Sequence, residues 1–275
     1  MKFRAKMIDG NCIKQFMNIL GTMVKIGKSC VLKITSTHLY FIVKEPQSIT
    51  CSPFIWCIIE EAHFFSEYNM EGLNKIDNEI YLEFVADNVS KTLSALKVTS
   101  SAKSIKIKLT KKISPCLTFE IDLASGYSHS RLVVHDIPVT VVPRRLWDEY
   151  IEPESLIPDI SVQLPQLRLM KNIVERMKNL TNMVTVHLTS QGLLTLTVET
   201  DTVSVTSHFD DLNVTQSVKE ETNVSIELKR LSNFLTNEQL NPNRIICSTI
   251  KSKQFKLNFL NDSYRLEYYL PAVQT

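Results

Sequence analysis

Glycine is scarce in this chain, with six residues among 275. Loops that cradle phosphate groups need closely spaced glycines, because only glycine lets the backbone come so near to the ligand. The one stretch that suggests such a loop, GTMVKIGKS at 21–29, has five residues between its glycines where the phosphate loop has four. It also lies in or at the end of a predicted helix, so the sequence does not indicate a nucleotide-binding loop.

The six cysteines form no metal-binding pattern. No C-x-x-C pair occurs, and no histidine stands at zinc-finger spacing from a cysteine. We therefore expect reduced thiols, no metal and no cofactor. The positions concerned are Cys12, Cys30, Cys51, Cys57, Cys116 and Cys247.

Long apolar runs are missing as well. No stretch of about 18 apolar residues is present, so we expect no membrane-spanning helix. The first ten residues, MKFRAKMIDG, alternate charged and apolar side chains, which is not typical of a signal peptide. The expected compartment is therefore the cytosol or the nucleus.

Patterns typical of catalysis do not occur. The sequence contains no G-x-S-x-G, and its histidines form no H-E-x-x-H. Adjacent acidic residues on a strand point to opposite faces, so they are poor acid–base partners. The pairs are Glu60-Glu61, Asp210-Asp211 and Glu220-Glu221. We expect a protein without catalytic activity, although an active site assembled from distant carboxylates stays open as an alternative.

The chain does contain a repeated order of predicted elements. RLVVHDIPV at 131–139 and YRLEYYLPA at 264–272 are strand-like runs that each reach an aliphatic residue followed by proline. Before each of them we predict a strand, a long helix, several strands, a strand that runs into a short helix, and two further strands. This order predicts two similar domains, residues 1–143 and 158–275, joined by a connecting loop at 144–157.

The connector, PRRLWDEYIEPESLIP at 143–158, is rich in proline and charge, which favours an extended and exposed segment. Four of its residues, Leu146, Trp147, Tyr150 and Ile151, are too apolar for a plain spacer. They either pack back on a domain or form part of a surface on which a partner docks.

Positive charge is concentrated in the predicted helices. Segments 11–28, 86–99, 166–180 and 229–238 carry formal charges of +3, +1, +3 and +1, against +2 for the whole chain, which leaves −6 for the remainder. The two long helices each show a polar, lysine-rich side opposite an apolar side. Lysine often simply solvates a helix, but four positive helices favour a layer that contacts the phosphates of a polyanion without reading bases.

Several motifs resemble those of one known family, the Hus-type checkpoint proteins. Members of this family are relatives of PCNA and form one subunit of the nine-one-one DNA damage clamp. The resemblance runs from Met1 to about Ala272. It is carried by MKFRAK at 1–6, FFSEYNMEG at 64–72, NEIYLE at 78–83, HDIPVTVVPRRLW at 135–147, IVERMKN at 173–179, SHFDDL at 207–212 and YYLPA at 268–272.

The resemblance implies an α+β fold of two similar PCNA-like domains, with antiparallel sheets outside and four helices on the inner face of a ring. It implies a heterotrimer with Rad-nine-like and Rad-one-like clamp subunits. A clamp loader would place the ring around double-stranded DNA in the nucleus, where it would support checkpoint signalling and recruit repair enzymes. A homotrimeric replicative sliding clamp, or an interaction module with the clamp fold but no DNA, are the alternatives.

The same resemblance implies three sets of site residues. The set facing DNA is Lys14, Lys25, Lys28, Lys91, Lys97, Arg168, Lys171 and Lys178. The set lining a pocket for client peptides is Leu146, Trp147, Tyr150 and Pro271. The set at the subunit interface lies on two edge strands, 131–139 and 203–209, and comprises Arg131, Val133, His135, Val203, Val205 and Ser207.

Overall fold

The computed structural model describes residues 1–44, 53–97, 102–123, 131–154, 156–251 and 253–273, except for the side chains of residues 93–97 and 238. The chain divides into two compact units. Unit 1 comprises Met1–Lys44 and Trp56–Glu152, and unit 2 comprises Glu45–Ile55 and Pro153–Thr275. The main division along the chain thus falls inside the predicted connector.

Unit 1 alternates strands with two long helices. Its elements are β1 (Lys2–Met7), α1 (Gly10–Ile26), β2 (Ser29–Ile34), β3 (His38–Lys44), β4 (Phe54–Glu60, of which the first two residues group with unit 2), α2 (Glu61–Phe64), β5 (Glu67–Glu71), β6 (Ile80–Val85), α3 (Ala86–Lys97), β7 (Ala102–Lys111), β8 (Pro115–Leu123), β9 (Arg131–Val141) and a 3-10 helix (Arg144–Tyr150).

Unit 2 follows the same plan. Its elements are β10 (Ile160–Gln163), α4 (Leu167–Met177), β11 (Met183–Thr189), β12 (Leu194–Glu199), β13 (Ser204–Phe209), β14 (Val214–Ser217), β15 (Glu221–Glu227), α5 (Leu228–Leu235), a short 3-10 helix (Glu238–Leu240), β16 (Arg244–Ile250), β17 (Gln254–Leu260) and β18 (Tyr264–Pro271).

The two units share one order of strands and long helices, and they differ in the single turn of α2 and in the 3-10 helices. In each unit a strand and a long helix precede five strands, the fifth strand runs directly into the second helix, and three strands follow. The predicted repeat is therefore found in the structure. The sequence reading missed β5 and β14, two short edge strands that occupy equivalent places in the two units.

The strands of each unit form antiparallel sheets. In unit 1 the order across the sheet is β4-β3-β2-β6-β9-β8-β7-β1-β5. Unit 2 has one group of strands in the order β14-β10-β16-β17-β18 and a separate sheet in the order β13-β12-β11-β15. β5, β13 and β14 each lie at a sheet edge among the described residues.

Aromatic side chains fix the helices to the sheets. In unit 1 the ring of Phe16 on α1 lies 5.9 Å from Phe41 on β3 and 5.9 Å from Phe65. In unit 2 the ring of Phe234 on α5 lies 4.7 Å from Phe259 and 4.6 Å from Tyr268. All six rings are buried, and such pairs add about 0.5–1.5 kcal/mol beyond the area that they bury. The buried face of each helix is thereby decided, and with it the face that is exposed.

Both ends of α1 are set by local chemistry. The Asp9 carboxylate caps the helix by accepting hydrogen bonds from the N–H groups of Asn11 at 2.8 Å and Cys12 at 2.9 Å. After the last turn, Gly27 packs against β3, where a Cβ atom would lie 2.2 Å from the Val43 side chain. A larger residue at this position would have to displace the Val43 side chain.

The structure agrees with the predicted strand at the end of unit 1 but corrects the prediction for the connector. As the run RLVVHDIPVTVV at 131–142 predicts, β9 continues past Pro138 to Val141, and over residues 139–141 it leaves β8 and pairs with β6. The connector is not extended at its start, since Arg144–Tyr150 form a 3-10 helix with a buried Trp147. Pro138 is tolerated within β9 because it lies where the strand changes from pairing with β8 to pairing with β6.

Candidate nucleic-acid interface and partner surfaces

α1 presents lysines on its exposed side. Lys14 and Lys25 are exposed, whereas the side that carries Ile13, Phe16 and Met23 is buried. Lys28 is also exposed but lies beyond the end of the helix. No acidic residue occurs between Gly10 and Lys28, so nothing on this element neutralises its charge.

α3 continues this surface in unit 1. It packs against α1, and the backbone N–H of Ala86 at its start donates to the carbonyl of Lys28 at 2.9 Å. Lys91 is exposed on it. Lys97 is the last residue of α3, and its side chain lies outside the described part of the structure.

α4 carries the corresponding basic residues of unit 2. Arg168 is exposed, and Lys171 is half-buried. Arg176 is not in the predicted DNA-facing set, but its side chain is exposed. Leu169 and Leu180 are apolar, yet both are about half exposed, at 50% and 47%.

These exposures follow from which residues of α4 face the core. The residues of α4 that are buried are Leu167, Met170, Val174 and Met177, which turns the opposite side towards Arg168 and Arg176. A helical wheel drawn from the sequence cannot tell which apolar residues of α4 are buried, because Leu169 and Ile173 are as apolar as the residues that are buried.

Lys178 takes part in a contact inside unit 2. Its Nζ donates to Glu175 Oε2 at 2.8 Å and to the Ser232 hydroxyl at 3.1 Å, and that hydroxyl donates to Glu175 Oε1 at 2.5 Å. Lys178 and Ser232 together hold the pKa of Glu175 below its usual value. These three side chains, the α4–α5 clasp, join the two helices, so Lys178 has a structural role that the sequence did not reveal.

The two predicted interface strands both have an unpaired edge among the described residues. Over Arg131–Pro138, β9 pairs only with β8, and β13 pairs only with β12. The predicted residues are placed unevenly. Arg131 and Val203 are exposed, whereas Val133, His135, Val205 and Ser207 are half-buried.

The more exposed apolar residues of β9 are Leu132 and Val134, at 62% and 50%. The sequence reading chose the alternate residues instead. Three consecutive apolar residues, 132–134, hide the period of two that normally tells the faces of a strand apart. His135 and Asp136, which follow, are adjacent polar residues and do not show which face of β9 is buried.

The connector residues pack back on unit 1. Trp147 is buried against Tyr81, and its Nε1–H donates to the carbonyl of Val142 at 3.0 Å. Leu146 and Tyr150 are half-buried, and burial raises the pKa of Tyr150. The first of the two alternatives for the connector is therefore correct for Trp147.

The two remaining residues are Ile151, which follows the 3-10 helix, and Pro271 in unit 2, which is a residue of the predicted client pocket. Ile151 is 62% exposed, just past the 3-10 helix. Pro271 is half-buried at the end of β18, opposite Gln254 on β17.

The described residues contain no group of three or more His, Cys, Asp or Glu side chains that could hold a metal ion. Within the same residues, no helix is long and apolar enough to cross a membrane. Five cysteines are free thiols, and Cys51 lies outside the described residues. Burial raises the pKa of Cys247 to about 12 and raises that of Cys30 and Cys57 as well.

Comparison with known proteins gives one consistent result. The family described as Hus1-like protein matches residues 1–274. Checkpoint protein HUS1 of Homo sapiens is 39% identical over 283 residues, which cover 99% of this chain and 100% of that protein. Checkpoint protein Hus1-like of Drosophila melanogaster is 32% identical over 248 residues, 87% of this chain and 89% of that protein.

Solved structures agree on the fold. Proliferating Cellular Nuclear Antigen from Entamoeba histolytica superposes with a TM-score of 0.74 at 14% identity, and covers 99% of both chains. PCNA from Thermococcus kodakaraensis gives a TM-score of 0.72 at 14% identity, with 98% of this chain and 100% of that chain covered. The expected α+β, PCNA-like fold is confirmed.

Proposed function

The chain belongs to the Hus1-like protein family, and we propose that it is a non-catalytic subunit of a heterotrimeric checkpoint clamp that encircles DNA. The observation that carries this proposal is the family match over residues 1–274, together with 39% identity to a checkpoint protein over its whole length. A match of that extent supports the same role for the whole compared sequence.

The proposed clamp contains two other subunits, which are those that the family resemblance implies. We propose that the other two subunits are Rad-nine-like and Rad-one-like proteins, and that a clamp loader places the ring on damaged or stalled DNA. In this role the chain acts in the nucleus, supports checkpoint signalling and recruits repair enzymes. Catalysis then belongs to the recruited proteins and not to this chain.

The DNA-facing surface is proposed to be the exposed side of α1, α3 and α4. Exposed lysine and arginine suit contact with phosphates, which supplies affinity but no sequence preference. The strongest candidates are Lys14, Lys25, Lys91 and Arg168, which are exposed, with Lys28 beside them. Among the remaining predictions, Lys171 is half-buried, Lys178 belongs to the α4–α5 clasp, and Lys97 lies outside the described residues.

Subunit contacts are proposed to form at the free edges of β9 and β13. An edge strand offers unpaired N–H and C=O groups that a neighbouring subunit can complete. The predicted interface residues on these edges are Arg131, Val133, His135, Val203, Val205 and Ser207. Because both faces of an edge strand meet the incoming strand, the half-buried members remain candidates.

Client peptides are proposed to dock beside the connector. Leu146 and Tyr150 keep accessible surface, and Pro271 keeps part of its own. Trp147 supports this surface from below, because it is already buried against Tyr81. Its contribution to client binding would thus be indirect.

The mass of the purified chain tests the assembly. We expect a monomer alone and a one-to-one-to-one complex after mixing with the Rad-nine-like and Rad-one-like subunits. A stable trimer of the chain alone would indicate a homotrimeric replicative clamp instead. A chain that binds neither subunit would contradict the proposal.

Charge reversal tests the DNA surface in the assembled ring. Lys14→Glu with Lys25→Glu should weaken DNA association and make its salt dependence less steep, since fewer counterions are released. The matched control is Lys75→Glu with Lys253→Glu, which changes the same charge at exposed lysines outside the helices. Equal loss in both variants would exclude a specific role for α1.

A further inference from the structure

The free edge of β5 is regular, unlike the equivalent edge in unit 2. Among the described residues β5 pairs only with β1, in an unbroken register of five residue pairs. In unit 2 the register of β14 with β10 shifts between Ser161 and Val162, so that edge is irregular. Bulges, prolines and lysines are the usual devices that stop an edge strand from pairing further, and β5, with the sequence EYNME, has none of them. The backbone groups on its free side are therefore available to another strand.

The two faces of β5 differ in chemistry. One face carries Glu67, Asn69 and Glu71, which are all exposed. The other face carries Tyr68 and Met70, which are both half-buried. A strand added beside β5 would thus meet carboxylates on one face and partly covered apolar surface on the other, because side chains alternate along a strand.

β1 shows which kind of strand fits beside β5. The residues of β1 that face the polar residues of β5 are all basic, and those that face its other residues are apolar. The opposed pairs are Lys2–Glu71, Phe3–Met70, Arg4–Asn69, Ala5–Tyr68 and Lys6–Glu67. One face of this pairing is held by charge, since Lys2 Nζ lies 2.9 Å from Glu71 Oε2 and holds the pKa of Glu71 below its usual value through a hydrogen bond. β5 is therefore a strand with one edge already filled by a basic complement and the other edge unpaired.

We propose that the free edge of β5 binds an extended segment of another protein by strand addition, and that this segment carries Lys or Arg at every second position with apolar residues between them. Hydrogen bonds between the backbones supply affinity, and the alternating side chains supply selection. Opposite charges directly across two strands stabilise the pair, whereas like charges destabilise it. The inference does not rest on the proposed function, since it concerns this chain alone.

The preference does not depend on the direction of the incoming strand. Glu67 and Glu71 lie symmetrically about Asn69, so the charge pattern of β5 is the same from either end. A shift of the pairing by two residues still places basic residues opposite a glutamate. A shift by one residue turns the apolar residues of the incoming strand towards the carboxylates, so the register is specified as well.

A second copy of this chain is a poor occupant of the edge. Antiparallel pairing of two β5 strands over their full length would place Glu67 of each copy opposite Glu71 of the other, and parallel pairing would place each glutamate opposite itself. The basic strands β1 and β7 of a second copy are not available, because each is already paired on both sides. The occupant that fits is therefore a segment of a different protein.

The first test uses a peptide with the sequence of residues 2–7, KFRAKM, with both ends blocked and a fluorophore at its N-terminus. Its control is the same peptide with glutamate at the three basic positions. Fluorescence polarisation with the full chain should show at least about fivefold tighter binding of the basic peptide, because both glutamates of β5 change from attraction to repulsion. Equal binding of the two peptides would overturn the inference.

Variants of β5 locate the binding. Glu67→Gln with Glu71→Gln should abolish most of the difference between the peptides, since it removes the charge and keeps side chains of the same size. The matched control is Glu199→Gln with Glu220→Gln, which makes the same change at two exposed glutamates of unit 2 and should bind like the wild type. Equal effects of the two double variants would show that net charge, and not β5, attracts the peptide.

Hydrogen exchange separates strand addition from loose electrostatic attraction. The basic peptide should slow amide exchange within residues 67–71 and leave exchange in β1 unchanged, because β1 keeps its own partners. Peptide binding without slower exchange at 67–71 would overturn the inference, and so would faster exchange in β1, which would mean that the peptide replaces that strand.

The assembled clamp gives the last comparison. β5 is not one of the strands proposed for subunit contact, so the peptide should bind the clamp as it binds the chain alone. Loss of binding in the clamp would show that another subunit covers this edge, which would contradict the inference. A chain that binds the peptide but neither clamp subunit would instead refute the proposed function and leave the inference standing.

Discussion

The indole ring of Trp147 stacks on the ring of Tyr81, with centroids 4.4 Å apart and planes inclined by 25°. The guanidinium of Arg144 lies 5.0 Å above the indole and is held by Asp77, at 2.9 Å from Nε to Oδ1. On Tyr81, the ammonium of Lys33 lies 5.2 Å from the ring centroid. These contacts fix the start of the connector to the strands of unit 1.

Trp147→Ala should therefore destabilise unit 1. Loss of a buried tryptophan typically costs about 3–5 kcal/mol, because a cavity remains where the ring was. Trp147→Phe is the control, since it keeps an aromatic ring against Tyr81 and should cost less, although it loses the hydrogen bond to the carbonyl of Val142 and part of the buried volume. Urea unfolding followed by circular dichroism measures both. Equal stability of the alanine and wild-type chains would mean that the stack does not hold the connector.

Lys178 and Arg176 should behave in opposite ways, although they stand two residues apart. Lys178→Ala should lower the free energy of unfolding by roughly 0.5–1 kcal/mol, since it removes a partly exposed ion pair of the α4–α5 clasp. Arg176→Ala should leave stability unchanged and weaken DNA association of the assembled ring. Denaturant unfolding and DNA affinity, measured on both variants, separate the two roles. A DNA defect confined to Lys178→Ala would show that the clasp lysine faces the DNA after all.

Ser232→Ala should destabilise unit 2 in a pH-dependent manner. The buried hydroxyl donates to the carboxylate of Glu175, and a hydrogen bond to a charged group contributes about 1.5–3 kcal/mol. The folded pKa of Glu175 is below its ordinary value, so its stabilising effect is present above the ordinary pKa and is lost as the pH falls through the folded pKa.

The difference in stability between wild type and Ser232→Ala should thus be largest near neutral pH and shrink in acid. Unfolding in urea at several pH values between 7 and 3 measures this trend. The control is the same comparison in chains that also carry Glu175→Gln. The amide at position 175 does not titrate, so the difference in stability caused by Ser232→Ala should no longer change with pH. A difference that grows towards acid would contradict the assignment.

Gly21→Ala should stabilise the protein. Gly21 lies in the middle of α1, where a methyl group would meet no atom within 4 Å. Glycine in a helix interior is about 0.8–1 kcal/mol less favourable than alanine, so a rise in melting temperature is expected. Gly72→Ala is the contrasting variant, since its Cβ would lie 2.4 Å from the backbone nitrogen of Glu79. It should lower the melting temperature.

The sequence was sufficient where periodicity was strong. The helix found at Gly10–Ile26 was predicted at residues 11–27, because its apolar residues follow one face. The strands β5 and β14 were missed, since both are short and largely polar edges. Their strand conformation comes from pairing with β1 and β10, which no local pattern announces.

Candidate site residues followed the same division. Lys14, Lys25 and Lys91 are exposed as expected, because a lysine opposite the buried apolar side of a helix points to solvent. Arg176 was left out, since the angle of the α4 stripe depends on which residues are buried against unit 2. Leu132 and Val134 were left out because three apolar residues in a row conceal the face of β9.

By itself, the sequence determined the repeated order of strands and helices and the excess of positive charge on the helices, because both follow from the spacing of residue types along the chain. Tertiary structure alone decided that Trp147 is buried on Tyr81, that Lys178 is joined to Glu175 and Ser232, and that, among the described residues, β13 and the part of β9 before Val139 keep one edge unpaired. Each of these depends on contacts between residues far apart in the chain, and no local pattern encodes which distant surface a side chain will meet.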